Sequence, residues 1–150
     1  MNLSPHFTLE ELTRTSQPFD NDPGPVEQQA LKTLCEAVLE PVRAHFGKPV
    51  RVNSGYRSPR VNAAVGSKPT SQHAKGQACD FEIDGVSNLE VAKWIRDNLT
   101  FDQLILENHK AGVPNSGWVH CSYVRGRARK SVLTMTMGSH GAVYTNGLPA

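Results

Sequence analysis

Ser71-Gln72-His73-Ala74-Lys75-Gly76-Gln77-Ala78-Cys79-Asp80 decides how this chain of 150 residues is read. A histidine precedes a glycine, and an aspartate follows inside an apolar run that extends to Ile83, so a turn hands the chain to a strand. Alternation puts Cys79, Phe81 and Ile83 on one face of that strand and Asp80 and Glu82 on the other. The apolar face can enter a core while His73 and Asp80 look into a cleft. The same split recurs at Trp118-Val119-His120-Cys121-Ser122-Tyr123, where Val119, Cys121 and Tyr123 oppose Trp118, His120 and Ser122. If these strands are neighbours, His73, Asp80 and His120 form a set of two imidazoles and one carboxylate. Those donor types hold catalytic zinc while leaving a position for water. Taken singly, each of the three is more often a surface or structural residue than a ligand.

Outward from this stretch, the pattern predicts an α+β fold in which a small mixed or antiparallel sheet carries flanking helices. Thr8 with Glu11 reads as a capping box before a short helix. From Pro25 to about Phe46, Val26, Ala30, Leu31, Leu34, Val38, Leu39, Val42 and Phe46 recur at helical spacing, with Gly47 as a stop. Pro41 inside that run predicts a kink or break. Val50 to Asn53 reads as a strand, Ser58-Pro59 starts a helix ending near Val65, and Ser87 with Glu90 caps a helix to about Asn98. Phe101 to Glu107 and Trp118 to Tyr123 are further strands. The segment from Val132 to Tyr144 reads as a terminal hairpin, and Arg125, Arg127, Arg129 and Lys130 as a solvated basic surface.

The length and a hydrophobic fraction of 38% predict one domain spanning residues 1–150. A net charge of +2 is too mild to make nucleic acid the expected partner. Met1 to Thr15 has no basic start followed by an apolar run, so the reading expects neither a secretory signal nor a membrane span, and synthesis in the cytoplasm. Cys35, Cys79 and Cys121 are an odd number without CxxC spacing, which disfavours a disulfide framework and a cysteine zinc site. Cys79 and Cys121 are expected close together on the core side, as reduced thiols, if Asp80 and His120 meet.

Ser71, His73, Gly76, Ala78, Asp80, Trp118 and His120 together resemble the zinc-binding signature of the M15 peptidases. The likeness extends upstream to Ser54-Gly55-Tyr56-Arg57-Ser58 and covers roughly Ser4 to Tyr123. It implies a hedgehog-type fold, Zn2+ held by His73, Asp80 and His120, and a peptidase acting on peptidoglycan stem peptides. The bond cut is either D-Ala-D-Ala, by a carboxypeptidase, or L-Ala-D-Glu, by an endopeptidase. The phage and prophage single-domain branch is nearest, which implies a monomeric endolysin reaching the periplasm or cell wall after release through a holin. The alternative is a non-catalytic, zinc-bound interaction or structural protein.

Relatives place a glutamate a few residues before the last histidine, and here no acid lies between Asn108 and Val119. Glu107, ending Phe101-Asp102-Gln103-Leu104-Ile105-Leu106-Glu107, resembles a Q-L-I-x-E segment and is the leading candidate base, with Glu82 competing. Arg57 resembles the family arginine that receives a substrate carboxylate. Ser71 is a candidate to orient His73 or contact substrate, and Gln72, His109 and Trp118 are candidate cleft-lining residues.

Overall fold

Two short strands, β1 (Asn2–Ser4) and β2 (Phe7–Thr8), begin a computed structural model that describes residues 1–150, and they carry Leu3 and Phe7 into the core. The capping box forms at α1 (Leu9–Thr13): Thr8 Oγ1 accepts from the Glu11 N–H at 3.1 Å, and Glu11 Oε1 accepts from the Thr8 N–H at 3.2 Å.

The long helical pattern resolves as α2 (Pro25–Leu34), a wider π-helical turn (Cys35–Leu39) and α3 (Glu40–Phe46), ended by Gly47 at φ 64°. Of the kink or break predicted at Pro41, a full break does not occur, but the regular α-helix is interrupted just before the proline. Proline lacks an N–H and crowds the carbonyl four residues back. The chain answers by widening the preceding turn, so that the Glu40 N–H reaches the Cys35 carbonyl five residues away and the run continues.

After β3 (Arg51–Ser54), Ser58 caps α4 (Pro59–Ala64) by accepting from the Val61 N–H at 3.3 Å. Then come β4 (Ala78–Glu82) and α5 (Asn88–Asn98). Ser87 sits at the N-cap of α5 but makes no side-chain cap bond; the Pro114 carbonyl takes the Asn88 N–H instead, at 3.1 Å. The chain finishes with β5 (Gln103–Glu107), β6 (Trp118–Ser122), β7 (Ser131–Gly138) and β8 (Gly141–Asn146), the last two being the predicted terminal hairpin.

The fold is α+β, with one six-stranded mixed sheet in the order β3-β4-β6-β5-β7-β8. All neighbours are antiparallel except β5 and β7. One face is the core: Leu31, Leu34, Val38 and Leu39 of the long helical run and Val91 and Ile95 of α5 join Phe81, Leu104, Leu106 and Val119 of the sheet in one cluster. These side chains are fully buried, which contributes about 1.5–3 kcal/mol each for side chains of this size. Period-2 alternation therefore leaves Asp80, His120, Ile105 and Glu107 together on the opposite face. No helix is long and apolar enough to cross a membrane.

Cys79 and Cys121 are direct partners in the β4–β6 register, and they and Cys35 are buried free thiols. Burial, reinforced by Glu40, pushes Cys35 up to about 12, and burial raises the other two as well. Because the thiolate is the reactive form, native protein should be inert to Ellman's reagent over minutes, and all three thiols should titrate after denaturation. Rapid labelling of native protein would contradict this.

Candidate metal centre

Three elements deliver the convergent side chains. A 3-10 turn, Gln72–Lys75, presents His73, and Ser71 Oγ steadies it by accepting from the His73 N–H at 3.2 Å. Gly76 ends the turn at φ 71°, and a Cβ there would lie 2.6 Å from the Glu27 carbonyl oxygen, so both the conformation and the space require glycine. Asp80 on β4 lies directly opposite His120 on β6.

His73 Nδ1 lies 2.8 Å from the Gly55 carbonyl oxygen, which can only accept, so Nδ1 carries the proton and Nε2 is left with its lone pair. Asp80 Oδ1 is 3.3 Å from His73 Nε2 and 2.9 Å from His120 Nδ1. The two rings stand 5.1 Å apart, and one potential ligand atom from each of the three residues lies within 4.8 Å of the others. Burial would raise the Asp80 carboxyl, but the facing imidazoles of His73 and His120 outweigh it and hold Asp80 well below the usual carboxylate range. On the outer side, Arg57 Nη2 approaches Asp80 Oδ2 at 3.4 Å, leaving Oδ1 turned to the histidines. One imidazole with its lone pair defined, a second imidazole beside it and an ionised carboxylate suit a divalent ion of zinc-like character.

Glu107 lines the same cleft, which has a volume of about 430 Å³. Ile105 pairs with His120 and Glu107 with Trp118, so Glu107 sits on the face of the convergent groups, one same-face position along. Burial, and then the charge of Asp80, raise its carboxyl above the ordinary value. The loop after Glu107 folds back through Gly117 at φ 70°, where a Cβ would collide with the Glu107 carbonyl oxygen. Glu82, the competing candidate, does not line the cleft. Its carboxylate is taken by Asn53 at 2.9 Å and Asn88 at 3.3 Å, with Arg51 at 3.5 Å.

Arg57, Ser71 and Gln72 line the cleft, whereas His109 and Trp118 do not. Trp118 begins β6 directly opposite Glu107, whose ionised form its indole N–H favours, and His109 lies past the end of β5 with its Nδ1 buried without a partner. A larger groove of about 520 Å³ beside Met1–Pro5 carries no metal-ligating side chain.

The basic segment is exposed, as expected from its composition, but two of its arginines also reach a buried carboxylate. Asp102, fully buried at the start of β5, accepts from Arg127 Nη2 at 3.1 Å, from Arg129 Nε and Nη2 at 2.8 and 2.9 Å, and from Gln72 Nε2 at 2.8 Å. A buried carboxylate demands such partners, and they join the His73 turn, β5 and the segment before β7. The Arg-x-Arg spacing at 127 and 129 was the available signal, but nothing local ties it to Asp102. Hydrogen bonds from Arg129 above all, with those of Arg127 and Gln72, outweigh burial and hold the Asp102 carboxyl well below its ordinary range. A lowered folded-state value contributes stability that is complete above the unfolded value near 3.9 and is lost as pH falls through the folded one. The stability gap between wild type and Asp102→Asn, measured by denaturant unfolding, should therefore narrow below about pH 4. A gap that stays constant into stronger acid would contradict this.

Against known families, a model described as Peptidase M15 matches residues 5–122. No curated protein matches the chain.

Proposed function

The chain belongs to the M15 peptidase family, and from that premise we propose a zinc peptidase that hydrolyses peptidoglycan stem peptides, as a D-Ala-D-Ala carboxypeptidase or an L-Ala-D-Glu endopeptidase. The observation that carries the reading is the convergence of His73, Asp80 and His120 on one sheet face, with the half-buried Glu107 in the same cleft.

His73, Asp80 and His120 would hold the zinc, which when bound supplies Lewis-acid polarisation of the carbonyl and acidification of water. Glu107, its proton affinity raised by burial, takes a proton from the attacking water and delivers it to the departing amine. The Gly55 carbonyl fixes the His73 tautomer, and Arg57 secures the outer oxygen of Asp80. Arg57 also borders the cleft, where its guanidinium receives a substrate carboxylate. Ser71 serves by orienting the His73 turn. In this reading the protein is a phage or prophage lysin acting on the cell wall after holin-mediated release.

Digestion of purified peptidoglycan with and without a chelator, followed by mass analysis, tests the proposal. Free D-Ala, lost on chelation and restored by zinc, identifies the carboxypeptidase; fragments with a new D-Glu amine identify the endopeptidase. Zinc-loaded protein that releases neither product would point to a non-catalytic zinc protein instead.

A further inference from the structure

The cleft continues past the convergent groups to a second cationic end. Asp102 precedes the Ile105–His120 row by three residues, roughly 10 Å along the strand direction. There Arg127 and Arg129 border the cleft with Gln103. The backbone that presents Arg127 is a closed turn in which the Arg127 N–H bonds the Val124 carbonyl at 3.0 Å, with Gly126 at φ 81°.

One buried carboxylate does not account for both arginines. Arg129 contacts the two Asp102 oxygens and can neutralise the single charge alone. Arg127 makes one contact to Asp102 through Nη2, and its side chain is 58% exposed. Counting Arg57, Lys75, Arg127 and Arg129 against Asp80, Asp102 and Glu107, the cleft has a positive excess even before a metal is added. Arg127, Arg129 and Tyr144, which also lines the cleft, lie beyond the stretch matched by the family model, so family membership does not assign this end.

We propose that Arg127 and Arg129, held side by side by buried Asp102, form a second anion-recognition point that binds a carboxylate carried by the substrate peptide away from the bond being cut. The identity of the substrate rests on the peptidase reading above; the anion site itself does not. Its chemical class is an acidic peptide, and the planar donor fork of Arg127 is the group that selects it. Arg57 contacts the opposite side of the metal-ligating set through Asp80, so the two cationic points are separate.

The test uses stem pentapeptides in which the α-carboxylate of the γ-linked D-Glu, or the side-chain carboxylate of the diamino acid, is free or amidated. Zinc-loaded wild type should prefer a free carboxylate at one of these positions by about tenfold or more in kcat/KM, mainly through KM. The position that shows the preference names the carboxylate. In Arg127→Gln, where Arg129 still covers Asp102, that preference should shrink below about twofold. No preference in wild type, or an equal preference in the variant, overturns the proposal. A second measurement is independent of turnover: side-chain Nε–Hε NMR signals of Arg127 and Arg129 in metal-free protein are followed as the free or amidated peptide is added. Saturable shifts with the free carboxylate alone support the site even if no bond is cleaved, a result that would sink the peptidase reading and spare this one. Absence of shifts with either peptide overturns it.

Discussion

Asp80→Ala is expected to remove the metal and the activity together, with metal affinity falling more than about a hundredfold. Loss of a group that merely supports a metal ligand typically costs about 10–100-fold, and Asp80 is the anionic member of the set itself. Its Oδ1 faces both His73 Nε2 and His120 Nδ1, so its removal leaves two imidazoles with no carboxylate between them and Arg57 without its ion-pair partner. His73→Ala and His120→Ala should behave alike, each leaving two of three donors. The check is metal content after dialysis against a weak chelator, alongside turnover and circular dichroism. A folded variant that keeps full zinc stoichiometry would show that Asp80 is not a ligand.

What the sequence could reveal about this site depended on distance along the chain. The orientations of Asp80 and His120 are local properties, because each sits in a strand whose apolar neighbours, Cys79 and Phe81 in one and Val119 and Cys121 in the other, must face the core. Once those faces are set, antiparallel pairing of β4 with β6 brings the two polar groups together. Asp102 offered no such clue. Its arginine partners stand 25 and 27 residues away, and they meet it only because β7 returns parallel to β5, with the Ser131 N–H bonding the Asp102 carbonyl at 3.0 Å. The run of arginines is exposed as it reads, but that two of them also bond a buried carboxylate is visible only once that return is known. Pro41 was legible as a local irregularity but not in its form: proline's local cost is real, and because the helical run buries Leu34, Val38, Leu39 and Val42, widening one turn preserves that packing where a full break would lose it.

Replacing Glu107 by Gln should lower kcat by roughly a hundredfold to ten-thousandfold, the scale for losing a positioned acid or base, while zinc content and thermal stability stay close to wild type. Peptide hydrolysis needs a proton acceptor for the attacking water, and His73, Asp80 and His120 are committed as ligands in the proposed mechanism. Among the remaining carboxylates, Asp102 is buried beneath two arginines, and Glu82 is bonded to Asn53 and Asn88 outside the cleft. Glu107 alone lines the cleft with its side chain uncommitted to an ion pair. It is held by β5 on one side and by the close return of Gly117 on the other, so a glutamine of the same shape should occupy the same place. Burial raises the carboxyl's proton affinity, which helps it accept the proton. The amide keeps shape and polarity but cannot take up that proton, so the loss should fall on kcat with little change in KM. Glu82→Gln, measured beside it, should retain most of the wild-type rate. A Glu107→Gln enzyme nearly as active as wild type, with Glu82→Gln dead and zinc still bound, would transfer the role to Glu82 and require the cleft to rearrange when substrate binds.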